Sequence, residues 1–472
     1  MIVNMLKTIR LILRKTRIDS RGNILLFAMI FGTITMTVII VGVAGYALTE
    51  NRASVKKHNR ELAFQVADAG INYYSWHLAH DKTDYYDGNG TSTPGPYVHD
   101  YLDKDGNVVG QFSLDITPPV LGSTVVTIKS TGWTAIQSES KRIIKARIGF
   151  PSMTDYAFLT NSNAWIGDNE TVHGKYHANG GIKFDGVADA AITSAVATYY
   201  CQPLHGGSCN NTLKPGIWGD GGPTGYWKFP VPARDFSAIT DNLADIRTAS
   251  QAEGIYLSSS GEQGWDLIFV SDGTIAMKKV LTTDCYKSKD VGDSNWVVRC
   301  IDAATYDTAT ISTMPSNGYI FVDDMVWVSG MVNGKATIGT SAGKSIIING
   351  NISYLARDGN HSLGLIGEQN ILIPRGSPDD LIIDAAMIAQ NGATKRYNFS
   401  GEGGDDRKGS LNIYGSVVSN GIWTWSWLNA GGELVSGYND TVSTYDLNLT
   451  YSPPPGFPVS SQYNLISWEV EN

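Results

Sequence analysis

The stretch "SRGNILLFAMIFGTITMTVIIVGVAGYALTENR", residues 20–52, decides how the N-terminal part of the chain is built. No charged residue occurs from Asn23 to Thr49, and the apolar run Ile24–Leu48 covers 25 positions. At about 1.5 Å per residue this is roughly 38 Å of helix, enough to span a bilayer with some tilt. A secretory signal has an apolar run of only about 7–15 residues and a small-residue cleavage site after it. No such site follows before Glu50. The stretch therefore predicts a spanning helix rather than a discarded signal.

Six cations, Lys7, Arg10, Arg14, Lys15, Arg17 and Arg21, precede the span against a single Asp19. Positive flanks stay inside, so the N-terminus is expected in the cytoplasm and everything after Leu48 outside. Arg52, Lys56, Lys57 and Arg60 on the far side oppose this but are fewer. No second apolar run of spanning length follows, which predicts a single-pass protein with a large exported body, bound to the membrane through residues 24–48.

Charge divides along the same line. Residues 1–60 hold ten Lys/Arg and two Asp/Glu, so of the formal net charge of −9 the remaining chain carries −17. An acidic exported body argues against a nucleic-acid partner, which requires clustered cations. The 472 residues exceed one ordinary core. With 51 Gly, 17 Pro and only 17% charged residues, the body reads as turn-rich and mainly β.

Past the span, Ala63, Ala67, Ile71, Tyr74 and Leu78 recur at helical steps, and no Pro occurs before Pro94. One long helix over 23–80 is expected, apolar all round in its first half and amphipathic in its second. From Tyr97 to Phe150 the period changes to two, around Asp105-Gly106 and other turns, which predicts an antiparallel sheet. Asp103, Asp105 and Asn107 read as turn formers, since the distal Glu of a calcium loop is missing.

From Pro151 a pattern returns: "HGKYHANGGI" (173–182), "DAAMIAQNGA" (384–393) and "YGSVVSNGIW" (414–423) share apolar positions ahead of an Asn-Gly. "VSGMVNGKATIG" and "IINGNISYLA" are looser copies. Such rungs predict a parallel β-helix-like solenoid over 151–472, with an insertion of about 195–315. That insertion holds one helix, with Asp235 as its expected cap and Gly254 as its end. It also holds four cysteines, expected as the disulfides Cys201–Cys209 and Cys285–Cys300 in an oxidising compartment. Each would contribute roughly 2–3 kcal/mol in the chain-entropy account.

With these residues in view, the N-terminus resembles the type IV prepilins: a basic leader over 1–22, a Gly before the apolar run, and a helix continuing out of the membrane. "ELAFQVADAGINYYSWHL" (61–78) is similar to a segment of PilX-like minor pilins and tip pseudopilins. The resemblance covers roughly residues 15–150. It implies cutting by a prepilin peptidase after Gly22, with Asn23 as the new, methylated N-terminus. It also implies a pilin-like sheet over 81–150, and packing among other pilins or pseudopilins through an assembly helix including Phe27, Ala63, Ala67 and Ile71. Major pilins carry Glu at the place of Phe27. Phe27 avoids the cost of burying an unpaired carboxylate and is compatible with a subunit at a fibre tip.

For chemistry, Asp323, Asp324, Asp379, Asp380, Asp405, Asp406 and Arg407 are the charged candidates of a membrane-tethered polysaccharide lyase or hydrolase, the alternative function. An uncleaved single-span surface protein is the third reading. Charges in such Gly/Pro-rich loops are usually only solvated. His173 and His177 have a helical metal-ligand spacing, but in a strand they would lie about 13 Å apart on one face. Trp423, Trp425 and Trp427 share one strand face, either as core or as an aromatic platform for a cell-surface or carbohydrate ligand. No catalytic motif, metal site or cofactor fingerprint occurs. The expectation is a structural, adhesive, non-enzymatic subunit.

Overall fold

The computed structural model describes residues 20–91, 93–120, 122–152, 155–202, 209–236, 238–399, 406–429, 431–459 and 463–471. The basic leader up to residue 19 lies outside them. The chain is mainly β, with one long N-terminal helix and several sheets.

Helix α1 runs Ser20–His80 without a break, 61 residues. Its apolar half is exposed throughout, and Thr33, Thr37 and Thr49 return their hydroxyls to the carbonyls of Met29, Thr33 and Gly45. Those bonds satisfy the polar groups of an apolar helix from within. Its second half packs on an antiparallel sheet of β1 (Tyr97–Leu102), β2 (Val108–Thr117), β3 (Val125–Thr134) and β4 (Arg142–Gly149). Ala63, Val66, Ala67, Ile71, Tyr74 and Leu78 meet Phe112, Leu114, Ile128, Ile144 and Ile148 there, all buried. Glycines set the close approach. A Cβ on Gly132 of β3 would collide with Ala67 N and Ala63 O of the helix, and one on Gly70 would collide with Ser130 and Phe112.

The fifth strand of this sheet is Asn464–Glu471, which pairs antiparallel with β4 although the expected boundary placed it in the body. Trp468 sets its ring edge-on to Phe64 and reaches Asp68 of α1.

The body pairs in parallel in three ladders. In the first, one apolar position stays in register from strand to strand: Ile255, Ile320, Ile338, Leu365, Met387, Val417, Phe158, Tyr176, Ile192 and Trp227. Ile- and Val-rich strands fill such a stack well because branched side chains pack across a pleated surface. The second ladder joins Trp265–Phe269, Val326–Gly330, Ile346–Ile348, Ile371–Ile373 and Thr394–Arg396. The third joins Leu381–Ala385, Leu411–Gly415, Thr441–Tyr445, Glu170–His173 and Val187–Ala188.

The spatial order is not the chain order. Phe158–Thr160 stacks on Val417–Ser419, so the turns of 158–228 sit beyond the last turn of 255–445. Part of the expected insertion, Ile255–Leu257 and Gly264–Phe269, joins the ladders. The returning chain between them forms helix α2 (Ala238–Glu253), which starts beyond Asp235 and ends at Gly254. Leu243 and Ile246 lie on the first ladder at Gly339, and Phe457 of the Pro-rich tail lies on Gly364.

Candidate functional site

The sequence-predicted residues fall into three settings. The processing pair Gly22 and Asn23 lies within α1, and Phe27, in the exposed apolar half, is 70% exposed. Ala63, Ala67 and Ile71 do not share that setting. Each is buried against the chain's own sheet. The apolar stripe that signalled an interface is the contact between α1 and β2–β4.

The recurrent Asn-Gly marks one corner, between the first and second ladders. Asn161 donates to Asn420 at 2.8 Å, and Asn179 donates to Asn161 at 2.7 Å and to the Arg234 carbonyl at 2.8 Å. Asn391 donates to Glu368 at 2.7 Å. The stacked amides satisfy polar groups where the ladder bends. Asn161, in "LTNSNA", is a member that the repeat search missed because Ser replaces the following Gly. The two looser copies form other corners of the ladders.

The charged candidates serve structure. Asp323 binds Arg247 at 2.9 Å and the Tyr256 hydroxyl. Asp324 is buried. Burial alone would raise its pKa, but the Ser260 N–H and hydroxyl and the Lys344 ammonium outweigh this and hold it below the usual carboxylate range. Asp380 accepts from the Ser410 N–H and hydroxyl, and the Asp379 carbonyl accepts from Gly409 N–H. Asp406 is buried with Arg396 at 2.7 Å, Arg375 at 3.3 Å and the Ser436 hydroxyl. Asp405 lies outside the described residues, and Arg407 is exposed.

His173 and His177 do not share a strand face. The strand ends at His173, Gly174 turns the chain at φ 126°, and a new strand starts at Tyr176. His173 pairs with Asp189 at 2.8 Å, while His177 is buried between Thr193 and Asn179, and burial lowers its pKa. Among the described residues no group of three or more His, Cys, Asp or Glu could hold a metal.

The tryptophans are not a platform either. Trp423 and Trp425 are 6% and 1% exposed, and Trp423 stacks on Phe158 and donates to the Tyr176 hydroxyl. Trp427 is half-buried and donates to the Arg396 carbonyl. Between Ser419 and Ser426 the backbone is a corner rather than a straight strand, so alternation does not hold and the rings turn inward.

Both cysteine pairs are disulfides. Cys201–Cys209 closes a hairpin, and Cys285–Cys300 joins directly opposed residues of a long antiparallel arm, Thr274–Ser288 with Val297–Tyr306. The arm lies over the second ladder. Val280 and Ile301 cover Trp327, Ile347 and Leu372, and Lys289 pairs with Asn398. At the arm's tip, Asp290 binds Lys395 at 2.6 Å. Burial, with Asp290 nearby, pushes the Tyr397 phenol up to about 12.

Between that tip and the Asn corner runs a groove of about 340 Å³, lined by Asp290, Val291, Gln369, Asn370, Lys395 and Ile422 with Gly392, Ala393 and Gly421 as its floor. A smaller depression of about 220 Å³ lies on the third ladder beside Arg357 and Tyr414, where Asp384 already holds the guanidinium.

No protein-family model and no curated protein matches the chain. Among solved structures it is similar to the competence-associated pilin ComZ from Thermus thermophilus, at 14% identity over 88% of this chain and 98% of that one. The TM-score is 0.28, too slight a likeness to assign a fold.

Proposed function

We propose that the chain is a pilin-like structural subunit with a large exported body. One observation carries this reading. A single unbroken helix has an apolar half covered by nothing among the described residues and a second half packed on an antiparallel sheet. An exposed apolar helix of this length needs a membrane or other helices around it. In this reading the stem spans the inner membrane with the basic end inside, is cut after Gly22, and then packs among other pilins through its exposed apolar half. Phe27 in place of an acid suits a PilX-like subunit at the fibre tip, where no preceding subunit needs pairing. The parallel ladders, read as a β-helix, are then the part presented outside for adhesion.

The N-terminus of the mature protein tests this by mass spectrometry, with and without a prepilin peptidase and in Gly22→Val. The expected result is a start at Asn23 that requires the peptidase and is lost in the variant. A Met1 start under both conditions would leave an uncleaved surface protein.

A further inference from the structure

We propose that the groove beneath the arm tip binds an uncharged oligosaccharide. The groove belongs to the β-rich body, so this inference goes beyond the assembly reading and stands whether or not the stem is cleaved.

Its construction points to a ligand. Gly392 is required by packing, since a Cβ there would collide with Asn370 and with the Gln369 carbonyl. A Cβ on Gly421 would come within 3.3 Å of the Gly392 carbonyl oxygen and 3.4 Å of Ala393 Cβ, closer than ordinary contact, so glycine at both corners keeps this part of the groove free of side chains. Along one side, Asn370 takes the Ala393 N–H on its Oδ1 at 3.0 Å, and its Nδ2 has no partner among the described residues. The same holds for the Gln369 side-chain amide. Val291 and Ile422 supply apolar walls.

The chemistry of the lining excludes other classes. The groove holds one cation, Lys395, and Asp290 neutralises it at 2.6 Å with the two side chains only 13% and 20% exposed. A phosphate or acidic polymer would meet no free positive charge. An extended peptide adding to a sheet needs an open strand edge, yet Ile371 and Leu372 are paired on both sides, and Thr394–Arg396 on one side with a further bridge from Lys395 to Thr424. A lipid chain would lie against amides and an ion pair. A neutral saccharide fits: its hydroxyls meet unpartnered amides and bridge the ammonium and carboxylate, and its C–H faces meet Val291 and Ile422. The volume, at the low end of the roughly 300–1,000 Å³ of ligand pockets, suits a short stretch of chain.

The test is titration calorimetry on the full chain in a phosphocholine detergent, which avoids sugar head groups. The probes are maltotetraose, cellotetraose, chitotetraose and mannotetraose, with tetragalacturonate as the anionic comparison. Gln369→Ala removes an amide with no structural bond, and Val291→Trp fills the mouth. At least one neutral probe should bind, about tenfold more weakly in each variant at unchanged melting temperature, which corresponds to one lost hydrogen bond or contact. Should Val291→Trp lower the melting temperature, Gln369→Ala decides. No binding by any neutral probe, binding indifferent to both variants, or tetragalacturonate binding tightest would each overturn the proposal.

Discussion

At the scale of single residues, the fold turns on where a side chain is missing. Gly132 permits α1 to lie directly on β3, with Ala63 and Ala67 opposite it. Gly132→Val forces a side chain against the helix backbone, a clash at Cβ that no rotamer change relieves, and should cost about 3 kcal/mol or more at that interface. Helix amides of 59–78 should then exchange with solvent about a hundredfold faster, the conversion of that energy into an opening equilibrium. Gly225→Ala, where an added Cβ meets nothing, should leave exchange there unchanged. Equal protection in wild type and Gly132→Val would show that the helix does not sit this closely. The sequence makes Ala63, Ala67 and Ile71 legible as one helical face, because period 3.6 shows in one dimension. It cannot say whether a face is covered by the chain's own sheet or by a neighbour, and here it is the former. Trp423 and Trp425 mislead for a related reason: alternation identifies a strand face only while the backbone stays extended.

At the scale of elements, the long-range partners are what the sequence conceals. Strands β1–β4 follow one another through short turns, and their alternation and the Asp105-Gly106 turn are both local signals. The strand Asn464–Glu471 pairs with β4 across more than the length of the body, and its alternation is weak, so nothing local assigns it. Two forces could hold it. Its ion pairs, Lys129–Glu471 at 3.2 Å and Lys145–Glu469 at 3.6 Å, are more than a third exposed on all four side chains and are screened. Trp468 sets its ring edge-on to Phe64 and donates to Asp68 of the helix, an aromatic contact that salt does not screen. Trp468→Ala should therefore loosen the strand by roughly 1–2 kcal/mol, whereas Glu469→Gln with Glu471→Gln should change it by less than about 0.5 kcal/mol. Hydrogen exchange of 464–471 reads both, and a larger effect from the double Gln variant would reverse the ranking. The groove at Gln369 and Asn370 was concealed likewise, since Asp290 comes from the arm tip and the rest of its lining from three separate turns, at 369–370, 392–397 and 421–422. One signal was present: "EQNI" at 368–371 is a corner copy lacking its Gly.

At the scale of the whole molecule, the ladders join two runs of chain in reversed order. Residues 255–445 wind consecutively and carry Val417 and Val418 to their last turn in the first ladder, where 158–178 stacks. Residues 158–228 begin on that surface and continue outward, so their first turn has no earlier neighbour of its own. Nearest-neighbour interfaces supply most of the stability of stacked turns, and a run needs several of them before it stands alone. The longer run contains them, together with α2 and the tail that lies on Gly364. The shorter run exposes Phe158 and Leu159 when separated, and its Asn161 and Asn179 lose Asn420 as an anchor. A fragment of residues 238–459 should therefore melt cooperatively, whereas one of residues 151–236 should not, and mixing the two should restore protection to the shorter. A cooperative melt of 151–236 alone would remove the dependence. If the dependence holds and the body is exported from its N-terminal side, the turns of 158–228 wait for residues 411–445 to emerge, and the C-terminal strand then closes the sheet against α1.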